Sequence, residues 1–291
     1  MQGFTALMLF TMEDQSTAEQ ARDAEPVPMV ELRQASKLLQ LSVSETRQVF
    51  SDLSLMIHQG DRLALFAVEA GDATALLQCI SGVEQPDRGS VEHFGSVSWP
   101  VGSNQAFSGR LSGYANARFA AELYSQPGCL EADLQLIQEL AQVPDAVFHE
   151  PLSSWPGAQK EALKLAVSLA FEFDVLSVGK ISNWDFRAIH PHAARIRELF
   201  EQRIEGRTLV MAAPGQNKLA IEYCDEGLVL LDGALAYRGD PEVCLELVKE
   251  ETQRLKLERK ARVNARVQQL LRQNQAAADD DGEEEADVAF A

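Results

Sequence analysis

The chain has 291 residues, of which 46% are hydrophobic and 24% are charged, and its formal net charge is −18. This composition predicts a soluble globular protein with one large α/β domain or two modest ones, and no apolar run reaches the roughly 18 residues of a membrane span. Because the chain is strongly acidic it would repel polyanions, and we therefore expect no nucleic-acid partner. The four cysteines are scattered and form no C-x-x-C pair, which predicts buried free thiols in a reducing cytoplasm and no metal site.

The predicted elements begin with a disordered lead-in over residues 1–27, which is polar and acidic after Met12 and is closed by Pro26 and Pro28. Three strand-like patterns follow, at Met29–Arg33, Val49–Ile57 and Arg62–Val68. The third is continuously apolar from Leu63, as expected of a strand buried on both faces. A tight connection over 69–72 then leads into a helix predicted over 73–81.

The centre of the chain is predicted to be a helical subdomain over about residues 105–168. Helical spacing is present in three segments, Ala115–Ser125, Glu131–Gln142 and Ser154–Phe173. Strands are predicted again at Asp174–Val178 and Thr208–Ala213. Asp232-Gly233 separates two short apolar runs and is a strong type I′ turn signal, so a β-hairpin is predicted there.

The last predicted elements are a basic helix and an acidic tail. Residues 249–272 hold eight basic and three acidic side chains, whereas residues 279–287 hold seven acids and no base. We predict a helix over 241–275, whose basic part, residues 249–275, has one apolar stripe, and a disordered tail over 276–291. Residues 28–248 are then left as the main α/β domain.

Six short motifs follow one another within residues 29–248. They are VFSDLSL with QGD at 49–61, GVEQPDRGSV at 82–91, VSWPVG at 97–102, LSG with FAAELY at 111–124, SLAFEFD at 168–174 and GDPE at 239–242. In order and spacing these segments resemble the ATP-binding subunits of ABC transporters, and those at 97–124 resemble the capsular polysaccharide export branch. The resemblance implies an α/β fold of the P-loop NTPase (ABC ATPase-like) class, with a helical subdomain, and the residues that follow add a C-terminal helix plus acidic tail.

The resemblance also implies a phosphate loop, G-x-x-x-x-G-K-[ST], after the strand that begins at Arg62. In such a loop the glycines let backbone N–H groups face the phosphates, the lysine bridges the terminal phosphates and the hydroxyl binds Mg²⁺. The matching positions, called here segment 67–74, include Ala67, Glu69, Gly71, Asp72, Ala73 and Thr74. Ala73 replaces the lysine, and only Thr74 keeps its chemical type. A carboxylate about 4 Å from a phosphate oxygen costs roughly 4 kcal/mol at an effective dielectric near 20.

The other functional positions implied by the resemblance are altered in the same way. Gly179 and Lys180 stand in place of a metal-linked Asp and a catalytic Glu. Pro156-Gly157 replaces the Ser-Gly pair of the signature helix, Pro214-Gly215 replaces the switch histidine, and the adenine-stacking aromatic falls near Leu39. These losses predict no catalytic residue, no bound ATP or Mg²⁺, and no metal site.

A few implied residues are retained, each with an ordinary structural interpretation beside it. Thr74 can be a helix first-turn hydroxyl, Gln105 a polar loop residue and Asp185 a helix cap. We also predict a charge-swapped core in which Lys180 pairs with Glu69 or Asp72, holding the loop closed without nucleotide; drift to three solvated charges is the alternative.

The leading hypothesis is a catalytically degenerate ABC subunit, a structural or regulatory component of polysaccharide export. Two alternatives stay open: an ATP-hydrolysing subunit with an aberrant phosphate loop, which alone would need ATP and Mg²⁺, and a scaffold for envelope polysaccharide machinery without transport. The resemblance implies as partners a membrane permease, a competent ATPase subunit or both, in a homodimer or a heterodimer, at the inner face of the cell membrane.

The permease interface is predicted between residues 105 and 119. Apolar side chains lie there between glycines, at Phe107, Leu111, Tyr114 and Phe119. Exposed apolar groups of this kind indicate a partner surface. The alternative is that all four pack inside the helical subdomain.

Overall fold

The computed structural model describes residues 26–40, 42, 45–102, 107–181 and 191–288, with side chains described to residue 269 and not at 191 and 192. The strands in this part of the chain are β1 Pro28–Gln40, β2 Thr46–His58, β3 Arg62–Ala67, β4 Arg88–His93, β5 Val175–Val178, β6 Thr208–Ala212, β7 Glu226–Leu231 and β8 Ala234–Gly239. The helices are α1 Ala70–Ile80, α2 Gly113–Tyr124, α3 Leu130–Ala141, α4 Asp145–Phe148, α5 Gly157–Ala170, α6 Pro191–Ile204, α7 Asn217–Tyr223 and α8 Pro241–Val288, with a 3₁₀ turn at Leu152–Ser154.

The larger sheet has five strands in the order β5-β6-β3-β7-β8, parallel except for the final hairpin. β3 lies at its centre and is buried from Leu63 to Ala67, which agrees with the continuous apolar run. The β7–β8 hairpin has positive φ at both Asp232 and Gly233, which confirms the type I′ turn. Because β3, β5 and β6 are parallel, their carboxyl ends meet at one edge of the sheet, called here the nucleotide edge.

The smaller sheet is antiparallel, in the order β2-β1-β4. Helix α1 packs between the two sheets, and a second core cluster joins Leu76 and Leu77 of α1 to Phe50 of β2 and Leu65 of β3. Both sheets therefore fix the position of α1, the helix that follows segment 67–74. The α/β fold class predicted from the sequence is confirmed.

Helices α2 to α5 form a helical unit beside β5. Ser112 caps α2, because its side chain accepts the N–H of Ala115 at 3.0 Å. The next residue must be small: a Cβ at Gly113 would lie 2.3 Å from the Trp155 ring. Within 107–168 the described residues form helices and turns, with one isolated bridge between Ser112 and Pro151.

Helix α8 is one continuous element of 48 residues, about 72 Å at 1.5 Å per residue. It begins at Pro241, as predicted, because the Asp240 carboxylate accepts the N–H groups of Glu242 and Val243. Cys244 is buried against Gly227 of β7, where a Cβ would lie 2.5 Å from its sulfur. The helix runs to Val288 and so includes residues 279–287, which we predicted to be a disordered tail.

Three further differences from the sequence expectations concern local elements. α1 begins at Ala70, where a loop was predicted to continue to residue 72. Helices α6 and α7 were not predicted. Cys129 is exposed, whereas the other three cysteines are buried as expected, and burial raises the pKa of the Cys224 thiol to about 12.

Candidate functional site

The connection between β3 and α1 is short and partly helical. β3 ends at Ala67 and α1 begins at Ala70, so two residues join them. The N–H group of Asp72 donates to the carbonyl oxygen of Glu69 at 2.9 Å, within the first turn. Phosphate loops instead point such N–H groups at the ligand. In segment 67–74 this donor is satisfied by the chain itself.

The side chains that follow are arranged as in an ordinary helix. The hydroxyl of Thr74 donates to the carbonyl oxygen of Ala70 at 3.0 Å, so its proton is held by the helix backbone. Ala73 is 1% exposed and packs into the core beneath the helix. Gly71 has open space at its Cβ position and no positive φ, so this helix does not require a glycine there.

A salt bridge between Arg47 of β2 and Asp72 covers the start of α1. One guanidinium N–H donates to Asp72 Oδ2 at 2.8 Å, and the second guanidinium nitrogen contacts Oδ1. The pair is partly buried, because the side chains of Arg47 and Asp72 are 34% and 14% exposed. The hydrogen bond to Asp72 raises the pKa of Arg47, and the charges of Asp72 and Glu69 add to that shift. The carboxylate at the loop is thus neutralised by an internal cation.

The predicted pairing of Lys180 with the loop carboxylates is wrong. Asp72 is occupied by Arg47, and among the described residues no carboxylate lies within 4.0 Å of Lys180. The Lys180 side chain is exposed and lies beside Gly215, where a Cβ would be 3.4 Å from its Cε. The physical reason is the course of β2, whose first residues lie over the helix start and supply the nearest cation.

At the carboxyl end of β5 the side chain of a buried glutamine is hydrogen-bonded to backbone groups. Gln216, 8% exposed, donates from Nε2 to the carbonyl oxygens of Gly179 at 2.7 Å and Ala212 at 2.8 Å. Its Oε1 accepts the N–H of Ile181 at 3.1 Å. A Cβ at Gly179 would lie 3.1 Å from the carbonyl oxygen of Val101, so the place of the implied metal-linked Asp is crowded by backbone. Gln216 ties the ends of β5 and β6 together.

The remaining nucleotide positions add little polar chemistry. Leu39 lies near the end of β1 and is 37% exposed. Pro156 is the N-cap of α5 and Gly157 its first residue, without a side-chain cap. Gln105 and Asp185, the two retained polar residues, lie outside the described residues.

The four predicted interface residues divide into two pairs. Phe107 and Tyr114 are partly buried against the core, and the Tyr114 ring meets the Phe148 ring edge-on at 5.9 Å. Leu111 and Phe119 are 49% and 61% exposed. Leu123, one turn beyond Phe119 on α2, is 60% exposed and was not singled out from the sequence. Leu111, Phe119 and Leu123 are called here the α2 apolar face.

A cleft separates α8 from segment 67–74. Its outer part, about 530 Å³, is lined by Glu69 on one side and by Lys256, Arg259 and Arg262 on the other. An adjoining part of about 340 Å³ reaches Ala67 and Lys249 and shares Lys256. Helix α8 therefore places basic side chains over the nucleotide edge of a strongly acidic protein.

The described residues contain neither a metal-binding cluster nor a membrane-spanning helix. No group of three or more histidine, cysteine, aspartate or glutamate residues there is arranged to hold a metal ion. In the same ranges, no helix combines the length and the apolar character needed to cross a bilayer.

Comparison with known proteins decides the family. The chain is 30% identical over 190 residues to the capsule polysaccharide export ATP-binding protein CtrD of Neisseria meningitidis serogroup B, a match that covers 64% of this chain and 83% of that protein. The chain belongs to the ATP-binding subunits of ABC-type polysaccharide exporters. It is also 28% identical over 181 residues to the polysialic acid transport ATP-binding protein KpsT of Escherichia coli, covering 62% of this chain and 79% of KpsT. No protein-family model matches the chain.

Solved structures of ABC subunits show the same fold. The dimeric ATP-binding cassette MJ0796, bound to ADP and Pi, has a TM-score of 0.58 at 14% identity, covering 73% of this chain and 99% of that one. An ATP-binding subunit of another ABC transporter has a TM-score of 0.59 at 15% identity, covering 77% of this chain and 99% of that one. The resemblance found in the sequence is confirmed for family and fold. ABC ATP-binding subunits work with a membrane permease.

Proposed function

We propose that this chain is a catalytically degenerate member of its family, a structural or regulatory component of polysaccharide (capsule-type) export. It sits at the cytoplasmic face of the membrane on a permease, alone or beside a competent ATPase subunit. Residues 28–248 are its ABC-like body, with the helical subdomain at about 105–168, and the basic and acidic segments are appended to that body. The observation that carries the proposal is the internal salt bridge of Asp72 with Arg47 at the start of α1.

The salt bridge supports the proposal through the charge it places at the loop. A polyphosphate at segment 67–74 would meet the carboxylates of Glu69 and Asp72 without the lysine that Ala73 replaces. Arg47 offsets the charge of Asp72, but its guanidinium is already held by that carboxylate. Releasing it for a phosphate would leave Asp72 unpaired beside the ligand.

A second support is the lack of groups for hydrolysis at the end of β5. Gly179 and Lys180 offer no carboxylate to a metal or an attacking water, and the nearby amide of Gln216 is bonded to three backbone groups. With Pro214-Gly215 in place of the switch histidine, no described side chain there is free to act as a base.

The activity test is ATP turnover by the purified full chain, with CtrD of Neisseria meningitidis measured in parallel. We expect turnover indistinguishable from a buffer blank. Turnover well above the blank that Thr74→Ala abolishes would instead support the ATP-hydrolysing alternative, because Thr74 retains the hydroxyl with which a phosphate loop binds Mg²⁺.

The α2 apolar face supports a role on a permease. Three exposed large side chains, Leu111, Phe119 and Leu123, are close in sequence on the helical subdomain. Burial of a Leu or Phe side chain against a partner contributes about 1.5–3 kcal/mol. We expect the tagged chain to retain a membrane permease from detergent-solubilised native membranes, and Phe119→Asp to lose it.

The matched control is Phe94→Asp, because Phe94 is also exposed, at 46%, but lies just beyond β4 in the small sheet. This variant should retain the permease. If the wild-type chain recovers envelope proteins but no permease, the scaffold alternative is favoured over transport.

A further inference from the structure

The cleft between α8 and segment 67–74 contains two cations without an acidic partner. Lys256 and Arg259 line its outer part. Among the residues whose side chains are described, none places a carboxylate within 4.0 Å of either cation. Arg262 lines the same wall but contacts Glu258, one helical turn earlier, at 3.8 Å. The charges of Lys256 and Arg259 are therefore available to a ligand in the cleft.

The outer part of the cleft has a small surplus of positive charge. Glu69 lines it from the side of segment 67–74, whereas the carboxylate of Glu258 is already paired on α8 with Arg254 and Arg262. Two unpaired cations thus face one acid, on a protein whose net charge is −18. A local excess of one sign in a cleft attracts ligands of the opposite sign. An anion with a single acidic group comes closest to balancing this surplus, whereas the three phosphate groups of ATP exceed it.

The rest of the lining is suited to hydroxyl groups and to a carbon skeleton. Thr252 and Gln253 carry groups that both donate and accept hydrogen bonds, and the carboxylate of Glu69 accepts them. Leu255 and Val248 add apolar surface. The two adjoining parts have volumes of about 530 and 340 Å³, the size of small-molecule sites. A sugar with one acidic group has an anion, several hydroxyl groups and an apolar ring face that match these walls.

We propose that this cleft is a binding site for an acidic sugar, one that carries a single carboxylate or phosphate group. Lys256 and Arg259 hold the acidic group by charge-assisted hydrogen bonds. Glu69 accepts hydrogen bonds from the hydroxyl groups, and it repels an anion that has no hydroxyl group to donate.

The position of the cleft gives such a ligand a structural effect. One wall belongs to α8 and the other to segment 67–74, so a sugar that contacts both walls holds the helix against the nucleotide edge. The chain would then respond to an acidic sugar at the edge where a working subunit binds nucleotide. This inference does not depend on the permease contact or on whether ATP is hydrolysed.

The test is isothermal titration calorimetry of the purified full chain at low salt with three sugars that differ only in the group at carbon 6. These are glucuronate, glucose 6-phosphate and glucose. We expect at least one charged sugar to bind, and glucose to bind at least about 30-fold more weakly because it lacks the charged hydrogen-bond acceptor. The tighter of the two charged sugars distinguishes carboxylate from phosphate recognition. Acetate and inorganic phosphate, which have the acidic group without the sugar, should bind at least about tenfold more weakly than the matching sugar.

Two double variants of α8 test which cations hold the ligand. Lys256→Gln with Arg259→Gln should weaken binding of the charged sugar at least about 30-fold. The matched control is Lys260→Gln with Arg266→Gln, which removes two cations of the same helix that line neither part of the cleft, and it should change the affinity less than about threefold. All four side chains are exposed, so both variants should unfold at the same urea concentration as the wild type.

A single variant tests the recognition of the hydroxyl groups. Glu69→Ala should lower the preference for the charged sugar over its bare anion, because the hydroxyl acceptor is lost and the repulsion of the bare anion is relieved. The proposal is overturned if neither charged sugar binds at about 10 mM, if glucose or the bare anions bind as tightly as the charged sugars, or if the two double variants lose affinity equally.

Discussion

The nucleotide edge and the α2 apolar face differ in how their side chains are satisfied. At the nucleotide edge Asp72 has Arg47, Thr74 has the backbone of Ala70, and the amide of Gln216 has three backbone partners. On the α2 face, Phe119 and Leu123 are more than half exposed. In the region that binds a small ligand in a working subunit, these three side chains are bonded within the chain, whereas the α2 apolar face exposes large apolar groups that a partner protein could bury.

This difference indicates that the two regions contribute to different properties of the protein, one to its stability and the other to its association with a partner. Polar side chains that are hydrogen-bonded within the chain need no ligand, so those at the nucleotide edge contribute to the free energy of unfolding. An exposed apolar face contributes little to folding and matters for binding. Substitutions in the two regions should therefore separate stability from association.

The largest effect on stability is expected from Gln216→Ala. Removing the amide leaves the buried carbonyl oxygen of Gly179 and the N–H of Ile181 without a partner, and each unsatisfied group costs about 1–3 kcal/mol. Urea unfolding should show a loss of about 2–4 kcal/mol. Gln253→Ala, at an exposed position of α8, is the control and should change stability by less than about 0.5 kcal/mol.

A smaller effect is expected from breaking the Arg47–Asp72 pair. The energy of a partly buried salt bridge is expected to fall between two known ranges. Exposed salt bridges contribute about 0.2–1 kcal/mol to stability, and breaking a buried one costs about 3–5 kcal/mol. A double-mutant cycle with Arg47→Ala and Asp72→Ala should give a coupling energy of about 1 kcal/mol. Additive single effects would mean that the two side chains act independently and that the loop is not neutralised by Arg47.

Phe119→Asp should change stability least while abolishing association. Since Phe119 is 61% exposed, its replacement should alter the free energy of unfolding by less than about 0.5 kcal/mol. Retention of the permease should nevertheless be lost. A large drop in the melting temperature would show that Phe119 supports the fold and would remove it from the proposed interface.

Stability at acid pH should depend on two hydrogen-bonded carboxylates at the amino end of β5, those of Asp174 and Glu172. Hydrogen bonds from the Ser96 side chain and N–H lower the pKa of Asp174, and the hydrogen bond from Arg207 lowers that of Glu172. A lowered folded-state pKa stabilises above the unfolded value and is lost as pH falls through the folded one. Asp174→Asn should thus be less stable than wild type at pH 7, and the gap should narrow below its usual pKa of 3.8. A constant gap would contradict this assignment.

Local patterns predicted much of the fold and less of the site. The run from Leu63 and the Asp232-Gly233 turn determined β3 and the hairpin, because their signals lie within a few residues. The Arg47–Asp72 pair joins residues 25 positions apart, on a strand and a helix. No local pattern indicates which strand end lies over a helix start. Lys180 was therefore wrongly predicted to be the cation that pairs with the loop carboxylates.

The sequence misplaced one helix start and did not indicate one residue of the site. A tight connection was predicted over 69–72, whereas α1 already begins at Ala70. Gln216 follows Pro214-Gly215, a typical loop dipeptide, and its three hydrogen bonds depend on β5 and β6 ending side by side. A buried amide after a Pro-Gly turn is a signal that could have been noticed, although its partners could not.

The most direct test of the central claim is the melting temperature of the full chain with and without 5 mM Mg-ATP. A ligand present at 100 times its dissociation constant stabilises a protein by about 2.7 kcal/mol, so even binding of moderate affinity would be visible. Because the polar side chains at the nucleotide edge are bonded within the chain, we expect Mg-ATP to leave the melting temperature of the wild type and of Thr74→Ala unchanged. A saturable rise in the wild type that Thr74→Ala removes would contradict it.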